Sequence, residues 1–313
     1  MTQRHARRRS RGPGAWGLEP VAVAVVACVG ATVVGAGPQS FRARVDVVQV
    51  TVTVTGDDGR LVRGLSRDDF EVFEEGVEQP ITQFTDARVP VSVGVLLDAS
   101  DSMRGRALDD ARQALDRFVG QLRPTDETFV ASFNHRPRLA GAWTSPPAAL
   151  RDALAELVPA GGTAIYDALA DTARLFERRR HVRSALVVIS DGADTASDRS
   201  LYEALEEVRR SDAFVYALAI DAPDALASTR VNTAALEELT ALTGGYTEVV
   251  RSAADLGPAT ARIAAELNAQ YTLGYDAPRP PDGSWRAIRV RVRGDEYTAR
   301  ARRGYFAVRR PIR

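Results

Sequence analysis

The chain has 313 residues with 41 basic and 41 acidic side chains, and every basic one is arginine. The absence of lysine excludes sites that need its amine, such as a phosphate-binding P-loop, a pyridoxal Schiff base or a Ser-Lys dyad. One cysteine excludes an intramolecular disulfide and a zinc ribbon, and the three histidines lie far apart. Any chemistry of this chain therefore rests on the oxygen atoms of Asp, Glu, Ser and Thr.

The charges are unevenly distributed along the chain. Residues 1–20 carry a net charge of +4 and residues 279–313 carry +8, whereas residues 21–278 carry −12. An acidic centre is not typical of a nucleic-acid binder, so we expect no nucleic-acid partner.

Residues 1–40 have the pattern of an export signal or a membrane anchor. Five arginines precede an apolar run, Val21 to Gly37, which is about 17 residues long and near the lower limit for a membrane span. A cleaved signal is the first interpretation, an uncleaved anchor the second, and a lipoprotein box ending at Cys28 the third. All three predict an exported protein that is periplasmic, secreted or anchored in the cell envelope, and that contacts a membrane only through this segment.

The segments 41–90 and 269–313 have the two-residue periodicity of β-strands. Strands are expected at 43–55, 70–73, 81–84, 271–275, 288–292 and 304–308. Neither segment is large enough to bury a core easily. We therefore predict that the two flanks pair as one small β-domain.

Between the flanks, residues 91–268 alternate buried strands with amphipathic helices. Strands are expected at 91–97, 128–133, 185–189, 214–220 and 246–249, and helices at 105–122, 146–157, 164–177, 200–210, 233–242 and 253–268. This alternation predicts an α/β domain with a doubly wound, mostly parallel sheet.

Oxygen-bearing side chains follow the predicted strands. Asp98, Ser100 and Ser102 follow the first strand of this domain, Asp191 follows the strand at 185–189, and Thr163 ends a Gly-Gly-Thr turn. Ligands of open α/β sheets bind at the carboxyl ends of the strands, where these five side chains are expected to converge. Alone, an Asp after a strand is more often a helix cap or turn residue. Together the five side chains suit a small hard cation such as Mg²⁺.

Three motifs occur in order: Asp98-x-Ser100-x-Ser102, then Gly162-Thr163, then Ser190-Asp191-Gly192. This arrangement resembles the von Willebrand factor A (VWA) domain with an intact metal-ion-dependent adhesion site. The flanks, with LSRDDFEVF at 65–73 and YTLGY at 271–275, resemble those of bacterial exported "VWFA-related" proteins. The resemblance extends from about residue 42 to residue 308.

The resemblance implies a role for each of these residues. Ser100, Ser102 and Thr163 would bind the metal directly, and Asp98 and Asp191 directly or through water. The metal, Mg²⁺ or alternatively Ca²⁺ or Mn²⁺, would be left short of one ligand, which an Asp or Glu of a partner protein supplies. Asp101 departs from the glycine common between the two serines. It either adds negative charge near the metal or points to solvent.

Other polar residues are expected to have structural roles. Asp167 lies in the first turn of a predicted helix, where the helix dipole stabilises a carboxylate. Asp194 is expected in a solvated loop and His135 on a surface turn, away from any Ser-His-Asp triad. We therefore predict a protein-binding module and no enzyme. The alternatives are a metal-dependent hydrolase and an envelope structural module with a stabilising metal.

Overall fold

The computed structural model describes residues 46–144, 152, 154–191, 193–220 and 232–308, and all of them belong to one compact unit. The predicted signal or anchor at 1–40 and most of the helix predicted at 146–157 lie outside these residues. The described strands are, in chain order, β1 (Val47–Gly56), β2 (Phe70–Glu74), β3 (Val77–Gln79), β4 (Ile81–Thr85), β5 (Val91–Asp98), β6 (Glu127–Phe133), β7 (Pro137–Thr144), β8 (Arg183–Ser190), β9 (Phe214–Ile220), β10 (Thr247–Val250), β11 (Tyr271–Asp276), β12 (Trp285–Val292), β13 (Tyr297–Ala301) and β14 (Gly304–Phe306). The described α-helices are α1 (Arg106–Gly120), α2 (Ile165–Leu175), α3 (Leu201–Ser211), α4 (Thr233–Thr243) and α5 (Leu256–Leu267).

A six-stranded sheet forms the centre of the segment 91–268, with the spatial order β10-β9-β8-β5-β6-β7. Five of these strands are parallel, and only β7, at one edge, runs antiparallel to its neighbour β6. Every residue of β5, β6, β8 and β9 is buried, as expected for strands covered by helices on both faces. The predicted α/β class with a mostly parallel, doubly wound sheet is confirmed.

The helices cover the two faces of this sheet. Apolar side chains of α1 and α5 pack on one face, and those of α2, α3 and α4 pack on the other. The helices present these side chains because their apolar residues recur at helical spacing, as Leu108, Ala111, Leu115 and Phe118 do in α1. The sheet is thus a buried middle layer with polar side chains concentrated at its ends.

The remaining eight strands form two antiparallel four-stranded sheets, β13-β1-β11-β4 and β14-β12-β2-β3. Each sheet combines strands from both flanks of the chain: β1 pairs with β11 and β13, and β2 pairs with β12. Val50, Val52, Val72 and Leu273, which are fully buried, belong to one apolar core shared by the two sheets. We call this two-sheet structure the β-sandwich.

A buried carboxylate connects the β-sandwich to the α/β domain. Glu266 of α5 accepts hydrogen bonds from the Thr53 hydroxyl (3.0 Å) and the Tyr216 hydroxyl (2.7 Å), and from the Arg300 guanidinium (2.5 Å). Thr53 and Arg300 lie in β1 and β13, whereas Tyr216 lies in β9. One side chain therefore holds elements of both parts of the molecule.

Strand β7 was not predicted from the sequence. Its residues include Pro137 and Gly141, which weaken the strand pattern, and Leu139 is more than half exposed. The strand is held by pairing with β6 and by Trp143, whose ring packs edge-on against Phe129 with centroids 4.5 Å apart. Tertiary contacts override local sequence preference at this position.

Candidate functional site

The order of strands in the central sheet reverses between β5 and β8. The chain proceeds from β5 to β6 on one side, while β8, β9 and β10 lie on the other side. Loops leaving the carboxyl ends of β5 and β8 therefore diverge and leave a crevice, which is where open α/β sheets bind ligands. Asp98 is the last residue of β5, and Asp191 directly follows the last residue of β8.

Asp98 is completely buried in this crevice. One carboxylate oxygen accepts a hydrogen bond from the Ser100 backbone N–H (2.8 Å), and the other accepts one from the Ser190 hydroxyl (2.6 Å). Ser190 belongs to the third motif but was not among the predicted ligands. The structure brings the two residues together because β5 and β8 pair Leu97 with Ile189, so that Asp98 and Ser190 follow at adjoining positions.

The two serine hydroxyls continue this network to the second carboxylate. The hydroxyl oxygens of Ser100 and Ser102 lie 2.9 Å apart, and the Ser102 hydroxyl donates to Asp191 at 2.7 Å. Hydrogen bonds thus connect Asp98, Ser100, Ser102 and Asp191, four of the five residues predicted to bind metal. They present two carboxylates and two hydroxyls at one sheet edge.

The two carboxylates carry negative charge in a poorly solvated place. Burial raises the pKa of Asp98 to about 6, against the hydrogen bonds from Ser190 and Ser100 that lower it. Burial also raises the pKa of Asp191. No arginine or histidine forms an ion pair with either carboxylate within the described parts of the chain. A bound cation would supply the missing positive charge.

Asp101 joins the loop after β5 to the Gly-Gly-Thr turn. Its carboxylate accepts a hydrogen bond from the Gly161 N–H (3.0 Å), and its own N–H donates to the Gly161 carbonyl (3.0 Å). The Arg104 guanidinium pairs with the same carboxylate. The side chain is exposed, as one of the two alternatives for Asp101 states, but its charge is paired locally and it connects two loops.

The turn places Thr163 beside the network without joining it by a hydrogen bond. Thr163 is buried, its N–H donates to the Thr195 hydroxyl (3.0 Å), and its carbonyl accepts from the Thr195 N–H (2.8 Å). Among the hydrogen bonds of the described residues, none connects the Thr163 hydroxyl to Asp98, Ser100 or Asp191. Its role as a ligand stays a prediction.

The donor set of this crevice fits a hard cation, although it is poor in carboxylates. No group of three or more His, Cys, Asp or Glu side chains with metal-binding spacing occurs among the described residues. Asp98 and Asp191 supply two charges, and the remaining oxygens come from serine hydroxyls. Mg²⁺ is commonly held by one or two carboxylates with other oxygen ligands and waters.

His135 lies closer to this crevice than the sequence indicated. Gly161 has a positive φ of 75°, and a Cβ atom there would come within 2.7 Å of the His135 Nδ1. The histidine is exposed, and no described hydrogen bond links it to Ser100 or Asp191. The ring therefore lies at the rim, packed on the turn that Asp101 holds.

Asp194 lies half-buried in the loop after β8, where its carboxylate also caps a helix. Its carboxylate accepts hydrogen bonds from the Ile165 N–H (3.0 Å) and the Ser197 hydroxyl (2.6 Å). The first of these gives a hydrogen-bond acceptor to a backbone N–H at the start of α2. Asp167, in the first turn of α2, accepts from the Asp198 N–H at 2.9 Å. Both carboxylates fix the segment after β8 against α2.

A depression of about 140 Å³ adjoins the crevice. Ala99, which directly follows Asp98, lines it together with Asn134, Arg136 and Arg138, and Glu156 and Val158 complete its rim. Val158 is 76% exposed. The surface next to the crevice thus offers two arginines, one glutamate and an exposed apolar side chain.

The von Willebrand factor type A domain family matches residues 93–193, which include Asp98, Ser100, Ser102, Thr163 and Asp191. The chain therefore contains a VWA domain. It is 29% identical over 133 residues to the inter-alpha-trypsin inhibitor heavy chain H4 of Sus scrofa, a match that covers 39% of this chain and 14% of the porcine protein.

Solved structures share the fold at low sequence identity. A von Willebrand factor type A protein from Catenulispora acidiphila superposes with a TM-score of 0.52 at 13% identity, over 83% of this chain and 73% of that one. Proximal thread matrix protein 1 from the mussel byssus, determined with a zinc-occupied MIDAS motif, gives a TM-score of 0.53 at 16% identity, over 63% and 50% of the two chains. These similarities establish the VWA fold.

None of the helices in the described residues is both long and apolar enough to cross a bilayer.

Proposed function

We propose that this protein is an exported protein-binding module that holds a divalent cation, Mg²⁺, at the carboxyl edge of its central sheet. Asp98, Ser100, Ser102, Thr163 and Asp191 are the proposed ligands, either directly or through water. An Asp or Glu of a partner protein completes the coordination. Export rests on the basic and apolar pattern of residues 1–40.

One observation carries this proposal. The buried carboxylate of Asp98 and the half-buried carboxylate of Asp191 are connected through the Ser100 N–H and the hydroxyls of Ser100 and Ser102, and no described cation neutralises them. Burying a charge without a partner is costly, so proteins pair such groups or use them to bind metal. The position at the topological switch point favours ligand binding over a purely structural role.

The neutral hydroxyls explain why a partner carboxylate would be attracted. Mg²⁺ held largely by hydroxyls and water keeps part of its positive charge, and a carboxylate is the oxygen ligand that it prefers. The ion pair of Asp101 with Arg104 supports this, because it offsets a negative charge that would otherwise repel an acidic partner.

The neighbouring surface indicates the chemistry of the partner. Arg136 and Arg138 line the depression next to Ala99, and Val158 is exposed at its rim. We expect the partner to present its metal-binding Asp or Glu beside a second acidic residue and an apolar side chain. Electrostatic complementarity of this kind contributes mainly to association rate and specificity.

Calorimetric titration of Mg²⁺ into the metal-free protein tests the metal site. The Ser102→Ala variant is expected to lose about tenfold or more in affinity, since disturbing ligand shells of metal sites typically has effects of this size. Ser252→Ala is the matched control, because the Ser252 hydroxyl also donates to a carboxylate, that of Asp255 (3.0 Å), but on an exposed turn. No Mg²⁺ binding, or equal binding by both variants, would overturn the assignment.

Affinity capture from cell-envelope extract tests the partner. The wild-type protein is expected to retain a protein ligand in the presence of Mg²⁺ and release it when a chelator is added. Ser102→Ala is expected to retain less under the same conditions. A ligand held equally well with chelator would contradict capture through the metal while leaving metal binding itself intact.

A further inference from the structure

The start of α2 receives its hydrogen-bond acceptors from a distant segment of the chain. Ala164 precedes the helix and has no side chain that could accept a hydrogen bond from the first backbone N–H groups. These groups need an acceptor, because the first turn of a helix leaves them without a partner inside the helix. Side chains of the segment 194–197, about 30 residues further along the chain, supply it.

The segment 194–197 follows the proposed ligand Asp191 directly in the loop after β8. Its hydrogen bonds join the Asp194 carboxylate to the Ile165 N–H (3.0 Å), the Ser197 hydroxyl to the N–H groups of Tyr166 (3.1 Å) and Asp167 (3.2 Å), and the Thr195 hydroxyl to the Thr163 N–H (3.0 Å). The loop that carries Asp191 is therefore fastened to the backbone that carries Thr163.

Thr163 is held by this loop through both of its backbone polar groups. Its N–H donates to the Thr195 hydroxyl, and its carbonyl accepts from the N–H groups of Thr195 (2.8 Å) and Ala196 (3.1 Å). Fixing the peptide groups on both sides of a residue also fixes the direction in which its side chain leaves the backbone. The orientation of the Thr163 side chain therefore depends on Thr195.

The turn before Thr163 lies unusually close to Thr195. A Cβ atom on Gly162 would be 3.0 Å from the Thr195 hydroxyl oxygen and 3.3 Å from the Cβ of Ala196. Both distances are shorter than ordinary van der Waals contacts, so a side chain at position 162 would push the turn away from the loop. The close approach to Thr195 gives a steric reason for glycine at this position.

The other proposed ligands do not hold Thr163 in this way. Within the described residues, no hydrogen bond joins the Thr163 hydroxyl to the network of Ser102 and Asp191. Asp101 holds the other end of the turn through Gly161. The two ends of the Gly-Gly-Thr turn are thus fixed by two different loops, and the end that carries the proposed ligand belongs to Thr195.

We propose that Thr195 is a positioning residue of the metal site, which acts on the metal through Thr163 and does not bind it. This inference rests on the proposed function, because Thr163 is a proposed ligand. Hydrogen-bond partners that orient metal ligands contribute to metal affinity although they do not touch the metal. The loop after β8 then serves two ligands, Asp191 directly and Thr163 through Thr195.

Calorimetric titration of Mg²⁺ into the full chain tests this role. Thr195→Val keeps the shape of the side chain but removes the acceptor hydroxyl, and it is expected to weaken Mg²⁺ binding about threefold to tenfold. Thr195→Ser retains the hydroxyl and is expected to bind within about twofold of the wild type. Thr85→Val is the matched control, because the Thr85 hydroxyl also accepts from a backbone N–H, that of Ala87 (3.0 Å), but in the β-sandwich.

A double-mutant cycle shows whether Thr195 acts through Thr163. Thr163→Val removes the proposed ligand hydroxyl and leaves the backbone groups that Thr195 contacts. In this background Thr195→Val is expected to change Mg²⁺ affinity by less than about twofold, because the group that it positions is already gone. Equal losses from Thr195→Val in both backgrounds, or no rescue by Thr195→Ser, would overturn the proposal.

Hydrogen exchange in the presence of chelator gives a readout without metal. The Thr163 N–H is expected to exchange faster in Thr195→Val than in the wild type, whereas the Ile165 N–H, which donates to Asp194, keeps its rate. Gly162→Ala perturbs the same contact from the turn and is expected to weaken Mg²⁺ binding as well. Unchanged exchange at Thr163 would contradict the contact.

The outcomes separate this inference from the proposed function. Mg²⁺ binding by the wild type that Thr195→Val and Gly162→Ala both leave unchanged would overturn the role of Thr195 alone. A wild-type protein that binds no Mg²⁺ would overturn both.

Discussion

The Ser102 hydroxyl donates a 2.7 Å hydrogen bond to Asp191, a residue 89 positions further along the chain. This contact joins the loop after β5 to the loop after β8 across the switch point of the sheet. It also brings a neutral oxygen and a charged oxygen to the same place.

Mg²⁺ is expected to stabilise the wild-type protein against thermal unfolding. A ligand present at about 100 times its Kd adds about 2.7 kcal/mol to the free energy of unfolding when it binds only the folded state. Asp191→Ala is expected to lose this increment. Differential scanning calorimetry with Mg²⁺ and with chelator measures it, and an unchanged Mg²⁺ effect in Asp191→Ala would contradict the site.

Asp98→Asn is expected to make the metal-free protein more stable at neutral pH. The folded-state pKa of Asp98 is about 6, above its ordinary value of 3.8, so burial of the carboxylate reduces stability as pH rises from about 4 to about 6. Above pH 6 the full penalty applies, on the order of 1–3 kcal/mol, and the neutral amide avoids it.

Urea denaturation in chelator at pH 4 and pH 7.5 measures this effect. The stability difference between Asp98→Asn and wild type is expected to be larger at pH 7.5 than at pH 4. Equal differences at the two pH values would show that the charge of Asp98 is not the cause. Addition of Mg²⁺ at pH 7.5 should stabilise only the wild type.

Asp101→Ala is expected to loosen the Gly-Gly-Thr turn. The variant loses the hydrogen bond from the Gly161 N–H and the ion pair with Arg104, of which the exposed ion pair contributes little. Hydrogen exchange at residues 161–163 is therefore expected to accelerate. Arg104→Ala is the matched control, because it removes the ion pair and leaves the hydrogen bond to Gly161. Equal acceleration in both variants would contradict the role given to Asp101.

Glu266→Ala is expected to destabilise the whole described unit by about 3–5 kcal/mol, because it leaves Arg300 partly buried without its anion. Glu248→Ala is the control, since Glu248 forms a more exposed ion pair with Arg262 that is worth about 1 kcal/mol or less. Chemical denaturation measures both. A loss below 1 kcal/mol in Glu266→Ala would show that this carboxylate does not hold the β-sandwich to the α/β domain.

No turnover is expected when phosphatase, esterase and protease substrates are offered with Mg²⁺. The proposed function is binding, and no general base is assigned to the cluster. Activity that disappears in Asp98→Ala would establish the hydrolase alternative. Activity retained in that variant would point to a contaminating enzyme.

The sequence predicted the α/β class well because its signals are local. The fully apolar strands and the helical spacing in α1 follow from neighbouring residues alone. Strand β7 was missed because its proline and glycine mask a strand that tertiary pairing imposes. The role of Asp194 was missed for a similar reason, since the helix start that it caps lies 29 residues earlier in the chain.

The sequence by itself determined the kind of chemistry available to this protein. The absence of lysine and the single cysteine exclude sites that need an amine or several thiolates, so the available ligands are oxygen atoms. The sequence also places Asp98 and Asp191 directly after strands, at the end of a parallel sheet where ligands bind. Only the tertiary structure decided that Ser190 bonds to Asp98 and that Asp101 holds Gly161, 92 and 60 residues away respectively. Such contacts depend on strand register and loop closure, which arise from packing of the whole chain and leave no local pattern in the sequence.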